Sequence, residues 1–286
     1  MSKTQRAPRQ KASIDAKGIL ACQGIYQLID AGIIRLAVPV AEGQVQPASL
    51  DLRLGEVAYR VRASFLPGPN TDVAQKLSQL SLHTIDLSHG AVLETGCVYV
   101  VPLLESLALP TTMSAAANPK SSTGRLDVFT RVIADAVSAF DQIPAGYSGR
   151  LYAEICPQTF PIVARTGSKL SQIRFRVGNP RESDAVLTRL QAREKLVSGV
   201  KADINDGIAL SVDLVGDKTG LVGYRAKRHT GVVDVDAPGS CAILDYWAEE
   251  DETLGHLVTH VLIHEIGHHF GLSDDDMEAI EAEADE

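Results

Sequence analysis

The sequence predicts a mainly β protein, a sandwich or closed barrel, with one N-terminal helix and an acidic C-terminal helix. Three observations carry this reading. After Val38 the chain breaks into short alternating runs separated by Gly and Pro, among them LDLRL, VAYRVRA, CVYVVPL, RLYAEICP and QIRFRV. Ahead of them, Ile19, Leu20, Ile25, Leu28, Ile29 and Ile33 recur at helical spacing within residues 14–34, and Gly32 is placed to end the helix. From Ala248 onward there are 13 acidic residues and no Lys or Arg, against 36 acidic and 27 basic residues in all. That tail is therefore −13 and the body +4, a composition break that marks a domain boundary.

Taken in order, residues 1–12 read as a disordered basic arm and residues 13–181 as the β domain. The charged stretch within 182–204 reads as a linker helix. Residues 205–247 form a further β segment, and 248–286 are the acidic helical tail. The 286 residues suffice for one large or two modest domains with a sound core. A body charge of +4 suits a phosphate-bearing small ligand but is too weak for nucleic acid. Cys22, Cys97, Cys156 and Cys241 lie far apart, with no paired spacing, as buried thiols of a reducing compartment do. The arm lacks a following apolar region and no stretch approaches a membrane span, so a cytoplasmic location is expected.

The segment QPASLDLRLGEVAYRVRA (46–63) has an echo in DGIALSVDLVGDKTGLVGYRAK (206–227). Both run through Ser, Asp-Leu, Gly and a Tyr-Arg strand. Two hairpins with similar turns would look like this, and so would a second copy of the first fold, begun near residue 205 and left incomplete.

Two segments carry chemistry. NPKSSTGR (118–125) concentrates the cations Lys120 and Arg125 with the donors Ser121 and Ser122, and Gly124 lets a backbone approach closely. Phosphate oxygens accept many hydrogen bonds, and an Arg fork matches them bidentately. IPAGYSGRLYAEI (143–155) reads as a turn and then a strand ending near Glu154. Alternation puts Leu151 and Ala153 on one face and Tyr152 and Glu154 on the other. A Glu there is solvated, salt-bridged or chemical.

These motifs resemble the dCTP deaminase branch of the dUTPase-like superfamily. The likeness runs through GILACQGIYQLIDAGIIRL (18–36), QVQPASLDLRLG (44–55), NPKSSTGR, AGYSGRLYAEI and RTGSKLSQIRF (165–175), in the family's order. It implies a β-clip or distorted jelly-roll barrel, and the echo at 206–227 resembles the family's tandem form. It further implies hydrolysis of dCTP to dUTP and ammonia without zinc, by a homotrimer with sites between subunits. Glu154 would be the general acid/base, with Ser121 and Arg125 in the catalytic set. Lys120, Ser121, Ser122, Thr123, Gly124, Arg125, Tyr147, Tyr152, Ala153 and Gln172 would bind substrate, and Mg²⁺ would ride on the triphosphate. An ungapped match places Pro144 at the family's sugar-binding aspartate, and Asp141, three residues earlier, takes that role if the loop is shifted. The family's Tyr/Lys/Gln closing arm has no clear counterpart after Phe175.

The tail adds a different signature. In HEIGHHFGLSD, His264 and His268 share one helix face, where both imidazoles reach one Zn²⁺. Glu265 is placed to activate a bound water, Gly271 allows a turn, and Asp274 takes the third-ligand position of HExxHxxGxxD. Residues 253–281 resemble the minimal zincin metallopeptidase-like family, although that family's substrate-binding strands are not found upstream. Peptidase chemistry and an inert nucleotide-binding fusion are thus the alternatives to deamination.

Overall fold

The computed structural model of the chain describes residues 17–210, 218, 220–228 and 230–250. The expected arm at 1–12 lies outside them, as do the Asp-Leu of the second echo and the whole HExxH region.

In chain order the elements begin with β1 (Gly18–Ile19), α1 (Cys22–Asp30), β2 (Ile34–Leu36), β3 (Leu50–Leu52) and β4 (Val57–Val61). There follow α2 (Val73–Leu80), β5 (Ser81–Asp86), β6 (Ala91–Leu93), β7 (Val98–Ala108) and β8 (Met113–Pro119). After α3 (Ser121–Arg125) come β9 (Val128–Ala134), β10 (Gln142–Ile143), β11 (Ser148–Pro157), β12 (Ile162–Ala164) and β13 (Ser171–Val177). The last elements are α4 (Asp184–Glu194), β14 (Gly223–Ala226), β15 (Val233–Asp234), α5 (Ile243–Tyr246) and β16 (Trp247–Glu250). The mainly β expectation holds for the described residues.

The chain divides into two compact units, the first made of residues up to Arg181 together with Arg228–Cys241. Within it, one sheet runs β1-β13-β8-β10, with β3 also on β13, and a second runs β5-β4-β7-β11-β9, with β2 on β7. A small third sheet has β12 between β6 and β15. Ile25 and Leu28 of α1 pack with Leu50, Leu107, Leu151 and Phe175 in one core. Apolar burial of this kind supplies the main driving force, at about 25 cal/mol per Å².

Helix α1 is shorter than the periodicity predicts. Residues 18–19 are a strand on β13, and the Leu20 N–H donates to the Phe175 carbonyl at 3.0 Å. Sheet pairing has taken the backbone groups a longer helix would need. The other end is as expected: Gly32 has φ +69°, and the Ile33 N–H returns to the Leu28 carbonyl at 2.9 Å.

Residues 228–241 depart from the expected second repeat. Strand β15 lies parallel to β12, and the Val233 side chain is fully buried in the first unit. Arg165 clasps Asp234 through Nη1 at 2.8 Å and Nη2 at 2.9 Å, and reaches Asp236 at 2.6 Å. This segment completes the first unit's small sheet, because Val233, the fully buried one of its three valines, finds cover there.

The second unit comprises residues 182–227 and those from Ala242 on. Helix α4 begins at Asp184, whose carboxylate accepts from the Asp206 and Gly207 N–H groups at 2.9 and 3.2 Å. Strand β14 pairs antiparallel with β16, and Lys227 donates to the Leu244 carbonyl at 2.7 Å. The echo's Tyr224 and Arg225 lie in β14, as Tyr59 and Arg60 lie in β4.

Candidate active site

Strand β11 sits between β7 and β9, antiparallel to both, so Glu154 faces Val100 on one side and Arg131 on the other. Its neighbours Leu151, Tyr152, Ala153 and Ile155 are all buried, and Glu154 itself is only 1% exposed. An ionised carboxylate in such a place needs a partner. Arg131 provides it, donating from Nε at 3.0 Å and Nη2 at 2.5 Å, both to Oε1. Oε2 is buried and has no hydrogen-bond partner among the described residues. The strand thus presents one anchored carboxylate oxygen and one unused one.

The 118–125 segment forms a tight turn. The Lys120 N–H donates to the Leu170 carbonyl at 2.9 Å, while the Thr123 and Gly124 N–H groups return to the Lys120 carbonyl. Thr123 is buried, with its hydroxyl on the Leu170 carbonyl at 2.8 Å. That anchoring leaves Ser121 and Arg125 exposed and Ser122 half-buried, with no side-chain hydrogen bond among the described residues. The Lys120 ammonium pairs with buried Asp51, a partner the sequence reading did not foresee. A Cβ built on Gly124 meets nothing within 4 Å, so no neighbour in this chain demands glycine there. Gln172 lies opposite Asp51 and Asn118 in register and accepts from Ser49 Oγ at 2.8 Å.

Sheet pairing ties the turn to the carboxylate. Thr130 Oγ1 donates to the Glu154 carbonyl at 2.8 Å and lies 3.4 Å from Ser171 Oγ, on the strand that follows the turn's anchor at Leu170. Among the described residues no hydrogen bond joins Ser121 or Arg125 to Glu154.

The remaining candidates divide. Asp141 sits at φ +61°, and its Oδ1 accepts from the Val132 N–H at 2.7 Å. Burial raises its carboxyl pKa, offset by that N–H and by Arg131, and the Glu154 charge raises it further. It therefore stands in the electrostatic neighbourhood of Glu154. Tyr147 uses its hydroxyl internally, donating to the Arg150 carbonyl and accepting from the Asp135 N–H at 3.1 Å, and burial pushes its pKa up. Tyr152 packs among Val61, Val100 and Ile133, and burial pushes its pKa up to about 12. Ala153 is a buried position in β11. His264, Glu265, His268 and Asp274 lie outside the described residues.

Sequence reasoning missed Arg131. Its signal was slight, an Arg interrupting the apolar FTRVIA strand; its partner is 23 positions away, and only the β9–β11 register joins them.

A largely antiparallel body that holds a buried, half-used carboxylate and, linked to it through Thr130 and Ser171, the strand anchoring a basic, hydroxyl-rich turn has the groups of a nucleotide-handling hydrolase. Comparison with known proteins makes this particular. Residues 16–179 match the profile of the 2'-deoxycytidine 5'-triphosphate deaminase N-terminal domain, and residues 183–268 that of the C-terminal domain. The chain belongs to the 2'-deoxycytidine 5'-triphosphate deaminase family. The second match runs without a break across Ala248 and takes in His264, Glu265 and His268, so the family likeness extends into the stretch where the sequence suggested a zincin fragment. A "dCTP deaminase, dUMP-forming" of Parafrankia sp. is 31% identical over 166 residues, 57% of this chain and 79% of that protein. One from Corynebacterium glutamicum is 29% identical over 170 residues, 58% and 84% of the two chains. The crystal structure of 2'-deoxycytidine 5'-triphosphate deaminase from Agrobacterium tumefaciens aligns with a TM-score of 0.78 and 56% identity, covering 82% of this chain and 70% of that one.

Proposed function

We propose that this protein hydrolyses the exocyclic amine of dCTP, giving dUTP and ammonia, with Glu154 as general acid/base. The observation that carries the reading is the state of that carboxylate: buried, fixed through Oε1, with Oε2 unpaired. Water adds to C4 of the cytosine as Oε2 takes its first proton, the C4=N3 electron pair moves to N3, and Oε2 hands that proton on to N3. The second water proton follows the same oxygen to the amine. The C4–N bond then breaks, ammonia leaves, and the C4 carbonyl forms. Ser121 and Ser122 orient water and phosphate, Lys120 and Arg125 neutralise the triphosphate, and Asp141 serves the sugar. Glu154→Gln keeps the shape but removes the base, so ammonia release from dCTP should fall to background; equal rates would end this mechanism.

A homotrimer in which neighbours complete each other's sites, as the family resemblance implies, lets the exposed turn of one subunit serve the buried carboxylate of another. Mixing Ser121→Ala and Glu154→Gln subunits should then restore activity that neither has alone. Among the described residues no group of three acidic, His or Cys side chains gathers as a metal cage. The donors around the turn suit phosphate oxygens, and Mg²⁺ held mainly by those oxygens fits them.

Relatives named as dUMP-forming favour a second reading of the product, in which a further water releases pyrophosphate. Pyrophosphate appearing in step with ammonia selects it. The HExxHxxGxxD spacing sustains a separate Zn²⁺ reading at His264, His268 and Asp274, with Glu265 as base. Zinc by elemental analysis, lost in a His264→Ala, His268→Ala variant, is its test.

A further inference from the structure

We infer that Arg131 is a positioning residue for the deamination, fixing the Glu154 carboxylate in one orientation and steering its free oxygen toward the attacking water. This rests on the reading of Glu154 as acid/base. A guanidinium and a carboxylate that meet for stability alone favour the fork-to-fork arrangement, one N–H to each oxygen. Here Nε and Nη2 both converge on Oε1, at 3.0 and 2.5 Å, and Oε2 is left buried and unpartnered among the described residues. Leaving a buried acceptor unmatched carries a penalty that a purely structural pair would avoid. Arg131 is itself held on several sides. Nη2 donates to Ser64 Oγ at 2.9 Å, and the guanidinium carbon lies 3.6 Å from the Phe140 ring centroid and 4.8 Å from that of Phe129. A clamp this fixed sets the carboxylate's rotation.

Asp141 and Cys156 both feel the Glu154 charge, and Arg60 acts on Cys156. Across β7 the neighbour is the apolar Val100. Arg131 is thus the cation that anchors the buried carboxylate. The experiment measures kcat and KM for dCTP against pH in wild type, Arg131→Gln, Arg131→Lys and Glu154→Gln. Arg131→Gln should lower kcat at neutral pH by roughly 10- to 100-fold with KM nearly unchanged, and recover as pH rises, because the acidic limb moves upward. Arg131→Lys keeps the charge but loses the planar fork, so the acidic limb should return while kcat stays severalfold low. Wild-type kcat and an unmoved acidic limb in Arg131→Gln, beside an inactive Glu154→Gln, would overturn the inference and spare the Glu154 reading. An active Glu154→Gln would overturn both. If Arg131→Gln does not fold, Arg131→Lys decides alone, and an unchanged kcat in it counts against the orientation role.

Discussion

Arg53 and Glu105 meet inside the first unit, Nε 2.7 Å from Oε1, with side chains 6% and 0% exposed. The pair is fully supplied with partners. Glu105 also accepts from the Arg53 N–H at 2.8 Å and from Gln44 Nε2 at 2.8 Å, and the two remaining Arg53 nitrogens donate to the Pro39 and Val38 carbonyls. It ties β7 to the loop before β3. Removing one member of such a pair leaves a buried charge unmatched, at a cost of about 3–5 kcal/mol. Glu105→Gln should therefore lower the unfolding free energy measured in urea by that much, whereas Arg53→Met with Glu105→Leu together should lose less than the two single changes summed. Additive losses would show that the pair is not coupled.

Gly149 faces a similar constraint of space. A Cβ built there would sit 2.6 Å from Tyr147 Oη and 2.9 Å from Cζ, closer than real Cβ contacts come. The tyrosine cannot yield easily, since its hydroxyl is bonded on both sides. Overpacking of this kind typically costs about 1–3 kcal/mol. Gly149→Ala should show that loss in chemical denaturation, reduced when Tyr147→Phe is added; an unaltered midpoint would mean the turn relaxes freely.

The contrast between Glu154 and Arg131 shows what the sequence could carry. Strand identity was legible because β4, β7, β11 and β13 alternate or run apolar, a property local to each run. Glu154 was legible because a carboxylate interrupts an apolar strand. Its fixed orientation was not, because Arg131 joins it through antiparallel register 23 residues away. The same limit hid the Lys120–Asp51 pair, 69 residues apart, and the docking of Val233 beside Ile162. Helix α1 was overextended for the opposite reason: its periodicity continued where sheet pairing had already claimed residues 18–20.

Asp141 should leave a mark on the pH dependence of stability. Burial raises its carboxyl above the ordinary 3.8, so the folded protein holds that proton more tightly than the unfolded chain. The resulting stabilisation is complete below the unfolded value and is lost as pH rises through the folded one. Asp141→Asn keeps an oxygen for the Val132 N–H and has no proton to lose. The stability of wild type minus that of Asp141→Asn should therefore decline across this window and level off above it. A flat difference from acidic to neutral pH would show that the environment does not raise the group.

Beyond the strand pairing with β12, residues 228–241 are held by two kinds of side-chain contact whose sizes differ, and the smaller is the more conspicuous. The Arg165–Asp234 pair is doubly hydrogen-bonded, yet both side chains are 36% exposed, so solvent screening limits it to about 0–1 kcal/mol. Val233 makes no polar side-chain contact but is wholly buried, and deleting its two methyl groups should cost about 1–3 kcal/mol. Limited proteolysis of this segment separates them. Val233→Ala should hasten cleavage between residues 228 and 241 more than Asp234→Asn does, and only the Asp234→Asn effect should shrink as salt is raised. If Asp234→Asn proves the more damaging at high salt, the ion pair, and not the buried valine, fastens this strand.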